Sequence, residues 1–217
     1  MVRTSLSLTL PSSLGQVSAI CMVPENPVCM MTLAHGAGAG MEHVFMEALA
    51  GSLAAAGVGT LRFNFPFTEQ KKFRPDTPAV AHQTIATAID KALELYPSLP
   101  LFAAGKSFGG RMSSQYLSIN HRKDVKGLIF YGFPLHPAGK PSIERAEHLK
   151  EVKQPMLFLQ GTKDTLATID LITDVCKSLK KATLVKLEGA DHSFKAGKNK
   201  DMIPLLTTET KGWVERH

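Results

Sequence analysis

Between Val28 and Ala34 the chain reads VCMMTLA, a continuous apolar run that ends in His35-Gly36. A strand without polar alternation is expected where a sheet is covered on both faces. That single requirement excludes a sheet with one wet face and calls for helices on either side. The pattern then changes period. Met41–Ala56 carries apolar residues at helical spacing, with Gly57 as the stop. Gly59–Phe65 returns to strand. Ala79–Tyr96 is helical and closed by Pro97, Pro100–Gly105 is strand, and Phe108–Asn120 is helical. Val125–Phe133 is strand, Ser142–Lys150 a short helix, Pro155–Gln160 strand, Thr168–Lys180 helix and Ala182–Leu187 strand. Asp201–Val214 is the last helix, with Pro204 tolerated in its first turn.

Ahead of this alternation, Thr4–Leu10 and Gln16–Val23 read as two strands around a turn at Pro11–Gly15, a β-hairpin. The longest irregular stretch is Pro66–Pro78. The order specifies an α/β fold: a mostly parallel central sheet with an N-terminal antiparallel hairpin and helices on both faces. The chain has 217 residues and neither repeat nor linker, so 1–217 is expected to form a single domain. At 44% hydrophobic and 20% charged residues it reads as globular. The N-terminus lacks the apolar core of a signal peptide, no stretch suits a membrane span, and the three cysteines Cys21, Cys29 and Cys176 show no metal-ligand spacing. A cytoplasmic protein with reduced thiols is expected. The net charge of +6 is spread over short clusters without interleaved aromatics, which argues for a solvated surface and against nucleic acid as a partner.

In sheets of this kind ligands bind at the carboxyl ends of the strands. After Pro100–Gly105 comes Gly105-Lys106-Ser107-Phe108-Gly109-Gly110, a G-x-S-x-G at a strand-to-helix junction. The pattern alone is weak; its placement is not, because a serine on such a turn projects its hydroxyl above the sheet. Serine needs a base. Of the histidines after Ser107, His192 lies just past the last strand, which suits the base; His121 ends a helix, His136 is in the loop after Val125–Phe133, His148 is inside a short helix and His217 is terminal. The acid should lie between nucleophile and base. Asp164, in the loop after Pro155–Gln160, fits better than Asp124, Asp170, Asp174 or Asp191. The oxyanion donors are expected to be the N–H of Phe108 and one from His35–Gly40, with Ala37 first and Gly38 second. His35 should brace this loop rather than react.

HGAGAG, RFNFPF, GKSFGGR, GTKD and ADHSF, in that order, resemble the α/β-hydrolase superfamily, and within it the dienelactone-hydrolase-like branch of small lidless serine hydrolases. The resemblance runs from Val28 to the end of the chain. It implies the α/β-hydrolase fold with a minimal lid and a Ser-His-Asp triad working without cofactor or metal. Dienelactone hydrolases proper use cysteine, so dienelactone itself is not implied by Ser107. The branch also contains regulatory or scaffolding relatives. The expected function is therefore a serine hydrolase, of carboxylesterase or thioesterase type, cleaving a small-molecule ester through an acyl-enzyme. The alternative is a non-catalytic scaffold on the same fold.

The periphery is less constrained. Phe67, Phe133 and Phe194, together with Phe65 and Phe108, are candidates for the substrate pocket, and equally for core packing. Lys106 should pair with an acidic group behind the turn, or else raise the local positive potential. Lys195, Lys198 and Lys200 are candidates for attracting an anionic substrate group. The terminal helix and the early hairpin are both candidate homodimer surfaces.

Overall fold

The computed structural model describes residues 1–11, 14–197 and 200–217, with only the backbone of Lys200. Its elements run β1 (Val2–Thr9), β2 (Gln16–Val23), β3 (Cys29–Ala34), α1 (Val44–Ala55), β4 (Val58–Phe63), α2 (Pro66–Glu69), α3 (Pro78–Leu95), β5 (Leu101–Lys106), α4 (Phe108–Ile119) and β6 (Val125–Tyr131). A 3-10 helix at Glu144–Glu151 precedes β7 (Met156–Gly161), α5 (Ile169–Ser178), β8 (Ala182–Leu187), the two-residue strands β9 (Lys195–Ala196) and β10 (Lys200–Asp201), and α6 (Ile203–Val214).

Eight strands form one sheet in the order β1-β2-β4-β3-β5-β6-β7-β8. β1 and β2 form the expected hairpin, and β2 joins β4 antiparallel. Every other pairing within this sheet is parallel, whereas β9 and β10 form a separate antiparallel pair. All six residues of β3 are buried. Alternate side chains of this strand enter two different cores. Met31 and Leu33 meet α1 and α6 through Leu49, Leu53 and Trp213, whereas Met30 and Ala34 belong with Ile85 and Ile89 of α3 and Met112 of α4. Two-sided burial is thus the physical reason for the unalternating run. Trp213 lies so close to β6 that a Cβ at Gly127 would stand 2.5 Å from its ring.

Several boundaries differ from the sequence reading, each for a local reason. The stretch Pro66–Pro78 is not wholly irregular: α2 opens with Pro66 in its first turn, and Glu69 at its end accepts the Ser18 N–H at 2.8 Å and the Asn64 amide at 2.9 Å. β6 stops at Tyr131 rather than Phe133, because Gly132 turns the chain with φ +72°. The segment expected as a short helix at Ser142–Lys150 is 3-10, Glu144–Glu151. Gly57 ends α1 as expected, at φ +91°.

From β3 the chain steps through α1 outward to β4, and then returns through α3 across β3 to β5. The loops leaving β3 and β5 therefore diverge to opposite sides of the sheet, which opens a crevice at their carboxyl ends. Among the described residues no helix is long and apolar enough to cross a membrane.

Candidate active site

Ser107 stands between β5 and α4 with φ 49° and ψ −115°, a left-handed conformation that a non-glycine residue adopts only when its surroundings hold it there. Gly109 is part of that hold. A Cβ on it would lie 2.5 Å from the Ala34 carbonyl oxygen and 2.6 Å from that of His35. Gly105 is equally constrained, because a Cβ there would collide with the Gly109-Gly110 backbone. The two glycines let β5, the turn and the end of β3 stack closely enough for the Ser107 hydroxyl to face the crevice.

His192 arrives from the loop after β8. Its Nε2 is 2.9 Å from Ser107 Oγ, and its Nδ1 is 2.7 Å from Asp164 Oδ2. With a carboxylate at Nδ1, the partners assign the ring proton to Nδ1 and leave Nε2 to accept the serine proton. Asp164 sits in the loop after β7 with its side chain fully buried. The carboxylate is satisfied: Oδ1 accepts the Leu166 N–H at 2.8 Å, and Oδ2 also accepts the Gln160 amide at 2.6 Å. Gln160, itself fully buried, takes the Phe133 N–H on its other end at 2.9 Å. Asp191, the acid adjoining His192, instead accepts the N–H groups of Ser193 and Lys195 at 2.8 and 2.9 Å, which shapes the turn that carries the imidazole. Sequence reasoning missed Gln160. Its signal was a polar residue ending the apolar run PMLFLQ.

The loop after β3 faces this line. The N–H groups of Ala37, Gly38 and Phe108 have no hydrogen-bond acceptor among the described residues, and Ala37 shares cavity walls with Ser107. His35 braces the loop. Its Nδ1 is 2.8 Å from the Gly36 carbonyl, and its Nε2 accepts the Phe65 N–H at 3.1 Å. Burial lowers its pKa to about 4, against a smaller opposing pull from the Gly36 carbonyl, so the ring is neutral near pH 7.

A family model described as alpha/beta hydrolase domain matches residues 27–207. The chain belongs to the α/β-hydrolase family. Among solved structures of similar fold is the dienelactone hydrolase from Anabaena variabilis, 18% identical, covering 100% of this chain and 98% of that one with a TM-score of 0.81. XC6422 from Xanthomonas campestris, described as an α/β serine hydrolase without lid, is 21% identical over 99% of this chain and 94% of that one, TM-score 0.75. An α/β serine hydrolase homologue from Coxiella burnetii is 20% identical over 100% and 97%, TM-score 0.75. At these identities the likeness is one of fold.

Within this α/β-hydrolase frame the periphery departs from the sequence reading. Phe65, Phe67 and Phe133 are core residues. Phe65 and Phe67 pack edge-on against His35 and Phe108, and Phe133 packs against Phe130 and Phe158. Phe194 stacks on Phe45 and lines a separate hollow toward α1 and α6. Of the five aromatics, Phe108 alone lines the main cavity beside Ser107. Lys106 makes no ion pair among the described residues. Its ammonium donates to the His192 carbonyl at 2.5 Å and lies 5.0 Å from the centre of the Phe194 ring. Burial lowers its pKa to about 8, partly offset by the charges of Asp164 and Asp191. Lys195 belongs to the hollow of Phe194, and Lys198 lies outside the described residues.

Two cavities meet at Ser107. One, of about 860 Å³, extends between the loop after α2, the first turn of α4 and the 3-10 helix, and its walls include Lys72, Arg74, Arg111 and Arg145. The other, of about 360 Å³, lies toward α1 and is walled by Phe45, Met46 and His192. Ala37 and Leu166 border both.

Proposed function

We propose that this α/β-hydrolase is a serine hydrolase that cleaves a carboxylic ester or thioester through an acyl-enzyme. The observation that carries the reading is the unbroken line of hydrogen bonds, 2.9 Å from Ser107 Oγ to His192 Nε2 and 2.7 Å from His192 Nδ1 to Asp164. Ser107 Oγ attacks the carbonyl carbon while His192 Nε2 takes its proton. Asp164, whose carboxylate also accepts from Gln160 and the Leu166 N–H, holds the ring in the Nδ1–H tautomer and stabilises the imidazolium. The carbonyl electrons move onto oxygen, which accepts hydrogen bonds from the Phe108 and Ala37 N–H groups. His192 then returns its proton to the leaving oxygen or sulfur. A water, deprotonated by the same nitrogen, attacks the acyl-serine, and the proton goes back to Ser107.

The test is labelling with a fluorophosphonate probe beside hydrolysis of short-chain p-nitrophenyl esters. The parent protein should label and turn over. Ser107→Ala and His192→Ala should each abolish labelling and lower kcat by about 10⁴-fold or more. A folded parent that neither labels nor hydrolyses would leave the non-catalytic scaffold as the better reading.

A further inference from the structure

The larger cavity is charged in a way that its own walls do not balance. Its acidic side chain, Asp76, is already engaged, accepting the Phe67 N–H at 3.1 Å and facing the charge of Lys72. Arg111 and Arg145 have no such neighbour: neither forms an ion pair among the described residues. Arg145 reaches only the Pro134 carbonyl, at 3.4 Å. Arg111 Nε is buried with no acceptor among the described residues. The two guanidiniums are also near enough to repel, and that repulsion adds to burial in pulling the Arg111 pKa down. His148, whose Nε2 pairs with Ser114 Oγ at 2.7 Å, adds no charge: burial first, and then the nearby Arg111, lower its pKa to about 4.

A half-buried guanidinium without an acceptor is costly, and a second one beside it, held by a single long contact to a carbonyl, raises that cost. The cost disappears if a bound group supplies oxygen atoms to both forks, as a carboxylate or phosphate does. The site is also placed for substrate. Arg111 lies one helical turn beyond Ser107, its N–H donating to the Ser107 carbonyl at 3.0 Å, and both residues wall the same cavity as Arg145.

We infer that the substrate is an ester or thioester bearing a carboxylate or phosphate group a short spacer away from its scissile carbonyl, and that Arg111 and Arg145 bind that group. This rests on the hydrolase reading above, with the anion site added to it. The role for which the sequence offered Lys195, Lys198 and Lys200 as candidates is assigned by this proposal to α4 and the 3-10 helix. Neither guanidinium is a catalytic residue; they hold the distant end of the substrate.

The experiment has a catalytic arm and a binding arm. In the first, kcat/KM is measured for p-nitrophenyl butyrate and for the mono-p-nitrophenyl esters of glutarate and 3-phosphonopropionate. The readout is the anionic-to-neutral ratio within each protein, so a general loss of catalysis cancels. Arg111→Met and Arg145→Met should each lower the ratio ten-fold or more, chiefly through KM. Lys177→Met, which removes an exposed charge on α5 that is not part of the cavity wall, should leave the ratio where it is. In the second arm, the melting temperature of Ser107→Ala protein is followed against glutarate and against inorganic phosphate. One of the two should raise it, with a half-saturation that moves up ten-fold when either arginine is replaced, and the one that does identifies the anionic group.

An unchanged ratio in both arginine variants, or an equal fall in Lys177→Met, overturns the anion site while esterase turnover in the parent leaves the hydrolase reading standing. No labelling or turnover, with arginine-dependent anion binding still present in Ser107→Ala, overturns the hydrolase reading and retains the site. Absence of both removes both.

Discussion

The neutral imidazole of His35 has a cost that depends on pH. Its Nε2 must stay unprotonated to accept the Phe65 N–H, and burial holds its pKa at about 4 against an ordinary 6.5. A group whose folded pKa is lowered contributes stability that is complete above the unfolded value and is lost as pH falls toward the folded one, because the unfolded chain takes up the proton first. The window is therefore pH 6.5 to 4, and the loss from His35 should be about 3 kcal/mol. Urea midpoints measured at pH 7 and 4.5 check this. In a His35→Asn protein, less stable at pH 7, the part of the slope due to this residue should vanish; an identical slope would show that His35 is not the titrating group. The three side chains that meet at the crevice, Ser107, His192 and Asp164, were legible as candidates because the chemistry proposed for them fixes a position in chain order: a serine between two glycines after a strand, an acid after the next-to-last strand of the parallel array, a histidine after the last. Gln160, Arg111 and Arg145 were not. Their roles depend on which side chains meet across the crevice, and neither spacing nor periodicity records that.

At the level of elements, the hydrophobic period located the long strands and helices, most sharply where two-sided burial leaves little freedom in composition, as in β3 and β4. It blurred where side chains take over from the backbone. α2 is held by Glu69 reaching back to Ser18 and Asn64, contacts 51 and 5 residues distant in sequence. The same kind of side-chain tie joins β4, α1 and β1. Arg62, fully buried in β4, donates to the Met41 carbonyl at 2.8 Å and lies 2.9 Å from Glu47 of α1, which also meets Arg3 at 3.1 Å. Removing Glu47 strands a charge inside the protein, whereas removing Arg3 takes away an exposed partner. Glu47→Ala is expected to cost about 2–3 kcal/mol, below the full penalty for a broken buried pair because a third of its side chain is exposed. Arg3→Ala should cost about 0.5 kcal/mol. Chemical denaturation of the two variants decides it, and equal losses would mean that Arg62 is satisfied without its carboxylate.

For the molecule as a whole, net charge and sheet order act together. The switch between β3 and β5 puts the crevice where the carboxyl ends of the strands diverge, and the chain carries a net charge of +6. A low-dielectric cleft with unneutralised cations attracts anions from beyond contact distance, and salt weakens that attraction. Raising ionic strength from about 0.01 to 0.15 M shortens the screening length from about 30 to 8 Å. Over that range kcat/KM for the glutarate monoester should fall several-fold, with a smaller change for the butyrate ester. Stopped-flow measurement at both salt concentrations checks this, and parallel salt curves for the two esters would contradict it. Sheet order itself was only partly legible. Alternation of strand and helix implied parallel pairing, but not that β4 would sit outside β3 with the hairpin attached beyond it.

The two cavities that meet at Ser107 share only the residues at their junction; beyond it the larger is walled by the first turn of α4 and the 3-10 helix, the smaller by α1 and the His192 loop. The two ends of a bound substrate are thus judged by separate walls. Tolerance for the group on one side of the carbonyl can drift by mutation without retuning tolerance on the other. Such a protein can acquire new substrate combinations one half at a time.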